Sequence, residues 1–282
     1  KDESKISLVR IAINFEEIIK AQSIAKELKL LGYTVGLNMM QAQGKNEKDY
    51  YETAKIISEW NTVDVLYFAD SLGNMLPNDV ENICKILKKG WKGNLGIHTH
   101  NNKNLALINS MTAIENGVTW CDSTITGMGR GAGNVTTESL LLELSRLNLY
   151  KGNANLTQPT VEDFTDLKRK FGWGSNLYYH YASNHRIHPT FVQSLLSDRR
   201  YNSQQVMVAL EFLADRNSTS FSLNAVREAI YGNQKKVLGE WNPSGWLNNK
   251  EALIIGAGPS VEKYKEGILQ YINQNNPAVL FL

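Results

Sequence analysis

The sequence predicts an α/β fold in which parallel strands are packed against helices. Five short runs are rich in β-branched and large apolar residues and stop at polar or glycine positions, as buried strands do. Their first residues, at 8, 34, 63, 94 and 120, lie 26, 29, 31 and 26 residues apart. Each interval holds one strand and one crossover helix, which makes the strands parallel. Polar residues also gather at the C-terminal ends of several different strands: Asn14, Asp70, His98, His100 and the loop after Gly127. An open doubly wound sheet concentrates such residues at one switch point, so their spread favours a (β/α)8 barrel of the TIM type.

The elements follow in order. The strands are expected at Leu8–Asn14, Thr34–Met40, Val63–Asp70, Asn94–His100 and Trp120–Gly127. Glu16 to Leu31 has apolar residues at helical spacing and ends at Gly32, a helix-stopping glycine. Pro77 to Lys89 and Asn104 to Asn116 repeat the pattern, the second before Gly117. These are five βα units. A closed barrel needs three more, about 85 residues at this spacing, which would lie upstream of Leu8. Without them the sheet is not closed within this chain.

Beyond residue 150 the rhythm changes. Helices are expected at Val161–Phe171, Asn176–Ser183, Pro189–Leu196, Ser203–Asp215 and Ser222–Tyr231, with no strand among them. A stretch rich in Gly, Trp and Asn follows, and then strand (Ala252–Ile255), glycine turn, helix through Ile272 and strand (Ala278–Leu282). The expected organisation is a barrel portion at 1–150, a helical extension at 151–232, a linker at 233–250 and the start of a further domain at 251–282. The chain opens on Lys1 and stops inside its last strand, so a longer parent with a downstream domain is expected.

Composition narrows the function. Thirty Lys and Arg against 28 Asp and Glu leave a net charge of +2, which provides no general basic field for nucleic acid or an acidic membrane. No apolar run approaches the roughly 20 residues of a membrane span. Cys84 and Cys121 lie far apart and form no CxxC pair, against a disulfide framework or a zinc–thiolate site. A soluble cytoplasmic protein, with homo-oligomerisation left open, is the expectation.

His98-Thr99-His100 is the sharpest local signal. Alternate side chains of a strand share a face, so both imidazoles project the same way and can chelate one ion. The alternative is a pair of rim histidines satisfied by hydrogen bonds. Asp70-Ser71-Leu72-Gly73-Asn74 follows another strand end and reads equally as a ligand loop or as a turn with a helix cap. Gly127-Met-Gly-Arg-Gly-Ala-Gly-Asn134 has glycines at every second position, which allow positive φ and close backbone approach to a ligand. The alternative there is a flexible loop, because a dinucleotide fingerprint would need a βαβ context that is lacking. His180, His185 and His188, and the scattered tryptophans, Trp241 and Trp246 among them, read as surface or packing residues.

Together, ADSLGNMLPNDV (Ala69–Val80), GIHTHNNKNLALINSMTAIENG (Gly96–Gly117) and DSTITGMGRGAGNVTTE (Asp122–Glu138) resemble the metal-dependent aldolase and lyase superfamily of 4-hydroxy-2-oxovalerate aldolase and HMG-CoA lyase, over residues 5 to 150. The resemblance is nearest to the 4-hydroxy-2-oxoacid aldolases, through VGLNMM, ADS-G and GMG-GAGN. It implies an eight-stranded barrel holding Mn²⁺ or Mg²⁺, and retro-aldol cleavage or aldol formation from a 2-oxo acid and an aldehyde. His98 and His100 carry over as metal ligands, Asn134 as a residue that ligates or orients the site, and Ser71 as a neighbour of the 2-oxo acid. Tyr178 corresponds, with a one-residue slip, to a tyrosine over the substrate aldehyde. The family's third ligand and its arginine sit in a T-L-R-D-G-like motif that this chain lacks, and they would come from upstream. A Claisen-type acyltransferase or lyase using a CoA thioester, and a degenerate scaffold domain, are the rival readings. The tail LIIGAGPSVEKYKEGILQYI resembles the opening of a Rossmann-like domain, with Gly256, Gly258 and Ser260 at a helix N-terminus where phosphate can bind.

Overall fold

A computed structural model describes residues 5–232, 245 and 250–281. The linker expected at 233–250, with Trp241 and Trp246, lies outside the described residues except for Gly245 and Lys250. The chain forms two compact units, Lys1–Asn233 and Gln234–Leu282.

In the first unit, β1 (Leu8–Asn14), β2 (Thr34–Met40), β3 (Val65–Asp70), β4 (Asn94–Thr99) and β5 (Trp120–Cys121) form one sheet, every neighbouring pair parallel, in the order 1-2-3-4-5. Sequence order without reversal is the arrangement of a barrel wall. A doubly wound sheet reverses at its switch point, and this one does not. Among the described residues the sheet is an arc with β1 and β5 at its edges.

The pleat gives the arc two different faces. Leu37, Met39, Leu66, Phe68, Leu95 and Ile97 point outward and are packed beneath the helices between strands. These are α1 (Gln22–Leu30), α2 (Glu47–Trp60) and α3 (Pro77–Gly90), which contribute Ala25, Tyr50, Ala54, Ile57, Val80, Cys84 and Leu87 to the same core. The other face carries Arg10, Asn38, Tyr67, Gly96 and His98. The register sets Asn38 beside Tyr67, and Tyr67 beside Gly96. A side chain at Gly96 would run into the Tyr67 ring, so glycine is what lets that ring lie across β4.

Four elements differ from the stated sequence expectation. The first helix begins as a 3-10 turn at Phe15–Ala21 before α1, and Gly32 ends it at φ 81°. Helix α2 and a further helix, α5 (Thr137–Arg146), fill stretches where the βα rhythm implied a helix but the sequence reading assigned no bounds. The signal for α2 was present: Asn46 caps it by accepting the Asp49 N–H at 2.9 Å, and Tyr50, Ala54 and Ile57 bury one helical face. The fifth strand is far shorter than Trp120–Gly127. Its ladder to β4 ends at Cys121, after which Thr124 bonds to Val135 and Thr137, and Ile125–Gly127 coils into a 3-10 turn. Alternating DSTITG looks like a strand, but its partner is a returning loop instead of a neighbouring strand.

Past α4 (Ala106–Glu115) and α5 come α6 (Gln158–Phe171), α7 (Leu177–Asn184), α8 (Pro189–Ser197), α9 (Ser203–Asp215) and α10 (Leu223–Tyr231). All five expected helices are present, Ser203–Asp215 with the expected bounds. Helices α7 to α10 build a core of their own around Phe191, Leu195, Leu210 and Leu213. They belong to the same compact unit as the sheet and dock on the C-terminal ends of its strands. The Ser183 hydroxyl donates to the Gly73 carbonyl at 2.7 Å, that of Ser175 to the Asn102 carbonyl at 2.7 Å, and the Trp173 indole to the Thr126 carbonyl at 3.1 Å.

In the second unit β6 (Ala252–Ile255), α11 (Ser260–Lys263), α12 (Lys265–Asn275) and β7 (Ala278–Phe281) make a strand–helix–strand with β6 and β7 parallel. No helix among the described residues is long and apolar enough to cross a membrane.

Candidate metal centre

The site grows from the end of β4. Thr99 points outward, where its hydroxyl shares a 3.0 Å hydrogen bond with that of Ser110 on α4 and fixes the strand end. The residues on either side, His98 and His100, therefore face the interior together. Their Nε2 atoms lie 3.2 Å apart, with ring planes crossed at 78°. Two nitrogens each about 2.1 Å from one cation sit roughly 3.0 to 3.4 Å apart, so the pair fits a shared divalent ion. Burial, with smaller contributions from His98, Arg130 and His188, drives the His100 pKa down to about 3. Its imidazole is neutral at ordinary pH and has a lone pair to offer. No cluster of three or more His, Cys, Asp or Glu able to hold a metal occurs among the described residues.

Behind the histidines runs a chain of polar contacts that sequence reasoning missed. His98 Nδ1 lies 2.8 Å from Asp122 Oδ2, and Arg10 forms an ion pair with the same oxygen. The Arg10 guanidinium sits 4.9 Å from the centre of the Tyr67 ring, a cation–π contact. Although burial opposes it, hydrogen bonds from His98 and Arg10 hold the Asp122 carboxyl below its usual range. The available clue was a charge inside LVRIAIN, on the inward face of an otherwise apolar strand.

The glycine loop folds back onto this end of the sheet. Thr126 is held at φ 52°, a left-handed conformation that costs a β-branched residue energy. Both Glu138 carboxylate oxygens accept its N–H at 3.1 Å. Asn134 donates its backbone N–H to the Gly127 carbonyl at 3.1 Å, and the Asn101 N–H reaches the Gly133 carbonyl at 2.8 Å, bridging Asn134 to His100. A Cβ on Gly133, whose φ is 76°, would collide with the Gly127 carbonyl oxygen. The Asn134 amide donates to the Met128 carbonyl at 3.2 Å and lines a cavity of about 550 Å³ with Asn101, Thr126 and Trp173.

The remaining candidates have identifiable structural partners. The Ser71 hydroxyl accepts the Gln41 N–H at 2.8 Å, joining the ends of β2 and β3. Asp70 is buried, and its carboxylate caps the following turn by accepting the N–H groups of Asn74 and Met75. Tyr178 packs at the border of the helical core, and its neighbour Tyr179 is the one that touches the loop, beside Gly131. His188 caps α8 by accepting the Thr190 N–H, and His185 stacks on Tyr181.

A family model, HMGL-like, matches residues 3–167. The chain belongs to the HMGL-like family. It is 37% identical over 148 residues to a 4-hydroxy-2-oxovalerate aldolase of Geobacillus thermodenitrificans, a match covering 52% of this chain and 43% of that one. The chain thus spans less than half the length of the curated relatives it matches. Among solved structures it is similar to the N-terminal domain of a candidate aldolase from Bacteroides vulgatus, with a TM-score of 0.64 at 33% identity, over 71% of this chain and 66% of that one. It also shares its fold with an HMG-CoA lyase of Bacillus subtilis, at a TM-score of 0.52 and 16% identity, over 60% of this chain and 65% of that one. The sheet therefore has the parallel α/β fold of the HMGL-like, TIM-barrel type.

Proposed function

We propose that this chain supplies the histidine wall of a divalent-metal-dependent aldolase or lyase. The reaction is cleavage or formation of the C–C bond of a 4-hydroxy-2-oxo acid, giving a pyruvate-type enolate and an aldehyde. One observation carries the reading: two converging imidazoles 3.2 Å apart at a strand end, in an HMGL-like chain whose matched relatives bear the name 4-hydroxy-2-oxovalerate aldolase. His98 and His100 would hold the cation, Mn²⁺ or Mg²⁺. When bound, it supplies Lewis-acid stabilisation of the negative charge that develops on the 2-oxo acid as the C–C bond breaks.

The chain's own groups prepare the surroundings. Glycines at 127, 129, 131 and 133 let the loop backbone approach the substrate closely. The helical run docked on Gly73, Asn102 and Thr126 covers the strand ends and keeps water from the enolate. Ser71 accepts from Gln41 and keeps its own proton to donate to a substrate carboxylate. Asn134 stands beside the histidines to orient the bound acid, and Tyr178 and Tyr179 mark the side from which the aldehyde leaves. The second unit opens a Rossmann-like domain in this reading. The setting is the cytoplasm, where Cys84 and Cys121 stay reduced.

Calorimetric titration with Mn²⁺ tests the site directly. Binding to the wild-type chain, lost in His98→Ala, is the expected result, and identical isotherms for the two would refute it. Release of pyruvate from a 4-hydroxy-2-oxo acid supports the aldolase. Release of free CoA from an acyl-CoA would transfer the site to Claisen-type chemistry.

A further inference from the structure

Two residues outside the ligand pair have a geometry that the sequence motifs do not explain. Asp122 follows β5, Arg10 lies on β1, and they are 112 residues apart in the chain. Both reach the same atom as His98: Asp122 Oδ2 accepts from Arg10 Nη1 and from His98 Nδ1. Neither residue touches the Nε2 side, where the two imidazoles converge.

We propose that Asp122, held in place by Arg10, is a positioning residue that locks His98 in the Nδ1–H tautomer and so aims its Nε2 lone pair at the cation site. The inference rests on the metal-binding reading for its purpose, but not for its chemistry. A neutral imidazole carries one proton. A carboxylate accepts hydrogen bonds and donates none, so the proton between His98 and Asp122 must reside on Nδ1. The Nε2 atom is then an acceptor. At 3.2 Å the Nε2 atom of His100 is close enough to donate a proton to it when no ion stands between them. Carboxylate partners of this kind fix ring orientation and raise ligand basicity, and their loss typically costs about 10–100-fold in metal affinity.

Arg10 has a separate part. It occupies the second lone pair of Oδ2, neutralises the charge of Asp122 on a partly buried face, and is itself steadied by the Tyr67 ring across Gly96. Without it the carboxylate is free to rotate away from the imidazole. Replacing Arg10 should therefore loosen the lock without abolishing it.

The test uses the 282-residue chain labelled with ¹⁵N at histidine, with His98 assigned by loss of its signals in His98→Gln. In metal-free wild-type protein the expected spectrum shows His98 Nδ1 protonated and Nε2 unprotonated. Asp122→Ala should shift His98 to mixed tautomers, Arg10→Met should do so partially, and Asp122→Asn serves if the alanine variant does not fold. An Nε2–H tautomer in wild-type protein, or a spectrum unchanged in folded Asp122→Ala, overturns the proposal. Mn²⁺ titration of the same samples should show affinity about 10–100-fold weaker in Asp122→Ala. Wild-type protein that holds the Nδ1–H tautomer yet binds no Mn²⁺ would sink the metal reading and leave the lock standing. Tight Mn²⁺ binding with the opposite tautomer would do the reverse.

Discussion

His98 and His100 show how the state of single side chains is set by what surrounds them. On an exposed strand the same pair would be protonated in part and turned to water, whereas here burial keeps His100 neutral and Asp122 orients His98. Burial acts on the thiols too, pushing Cys84 up to about 12 and Cys121 up to about 11. Neither is a thiolate at pH 8, so iodoacetamide should label both only after denaturation. Rapid native labelling of Cys84, read by mass spectrometry, would contradict its placement in the core. Asp70 makes a sharper test. Its pKa is raised to about 7, chiefly by burial and against the N–H groups of Met75, Asn74 and Gly73. Between about pH 4 and pH 7 the folded chain keeps a proton that the unfolded chain has released, so this contribution to stability is full below pH 4 and lost as pH rises to 7. A displacement of that size is worth roughly 4 kcal/mol. Urea unfolding midpoints should fall from pH 5 to pH 8 in wild-type protein and vary less in Asp70→Asn. Equal slopes would place the titration elsewhere.

Each strand of the arc is defined by its two faces. Phe68 is fully buried under α2 and α3, and Phe68→Ala should cost about 3–5 kcal/mol in denaturant unfolding with the slope unchanged. A loss below about 1 kcal/mol would mean that the outward face is not packed as described. Helix α2 depends on its cap, and Asn46→Ala, which removes the acceptor for the Asp49 N–H, should cost about 1 kcal/mol. The glycine loop is less tolerant. Gly133→Ala adds a methyl group where the Gly127 carbonyl already lies, at a φ that L-residues avoid. If the loop shapes the site, that variant should lose Mn²⁺ affinity or turnover while the far-UV spectrum of the helices remains. The same loop explains the shortened fifth strand: the expected pleat beyond Cys121 is given up so that Asn134 can be returned to the end of β4.

The first unit behaves as one body, because the helical run is bonded to three strand-end loops through Ser183, Ser175 and Trp173. Ser183→Ala leaves the buried Gly73 carbonyl without its donor and should cost about 1–3 kcal/mol. Hydrogen exchange should report that loss in both β3 and α7, whereas a loss confined to the helices would show two bodies. The fold class was legible along the chain because a strand's period of two and a βα unit of 26 to 31 residues are local patterns, set by backbone geometry. His98 and His100 were legible for the same reason, since alternation alone puts them on one face. The bounds of α2, which the rhythm implied without placing, were recoverable from its Asn46 cap. Nothing local marked Arg10 and Asp122 as partners, or Ser183 as the donor to Gly73, for these contacts join residues 112 and 110 positions apart. Their meeting depends on strand order and register, which arise from how the strands pack against one another. Likewise the end of β5 was settled by which backbone groups lay opposite Thr124, a matter of space that no single stretch of sequence records.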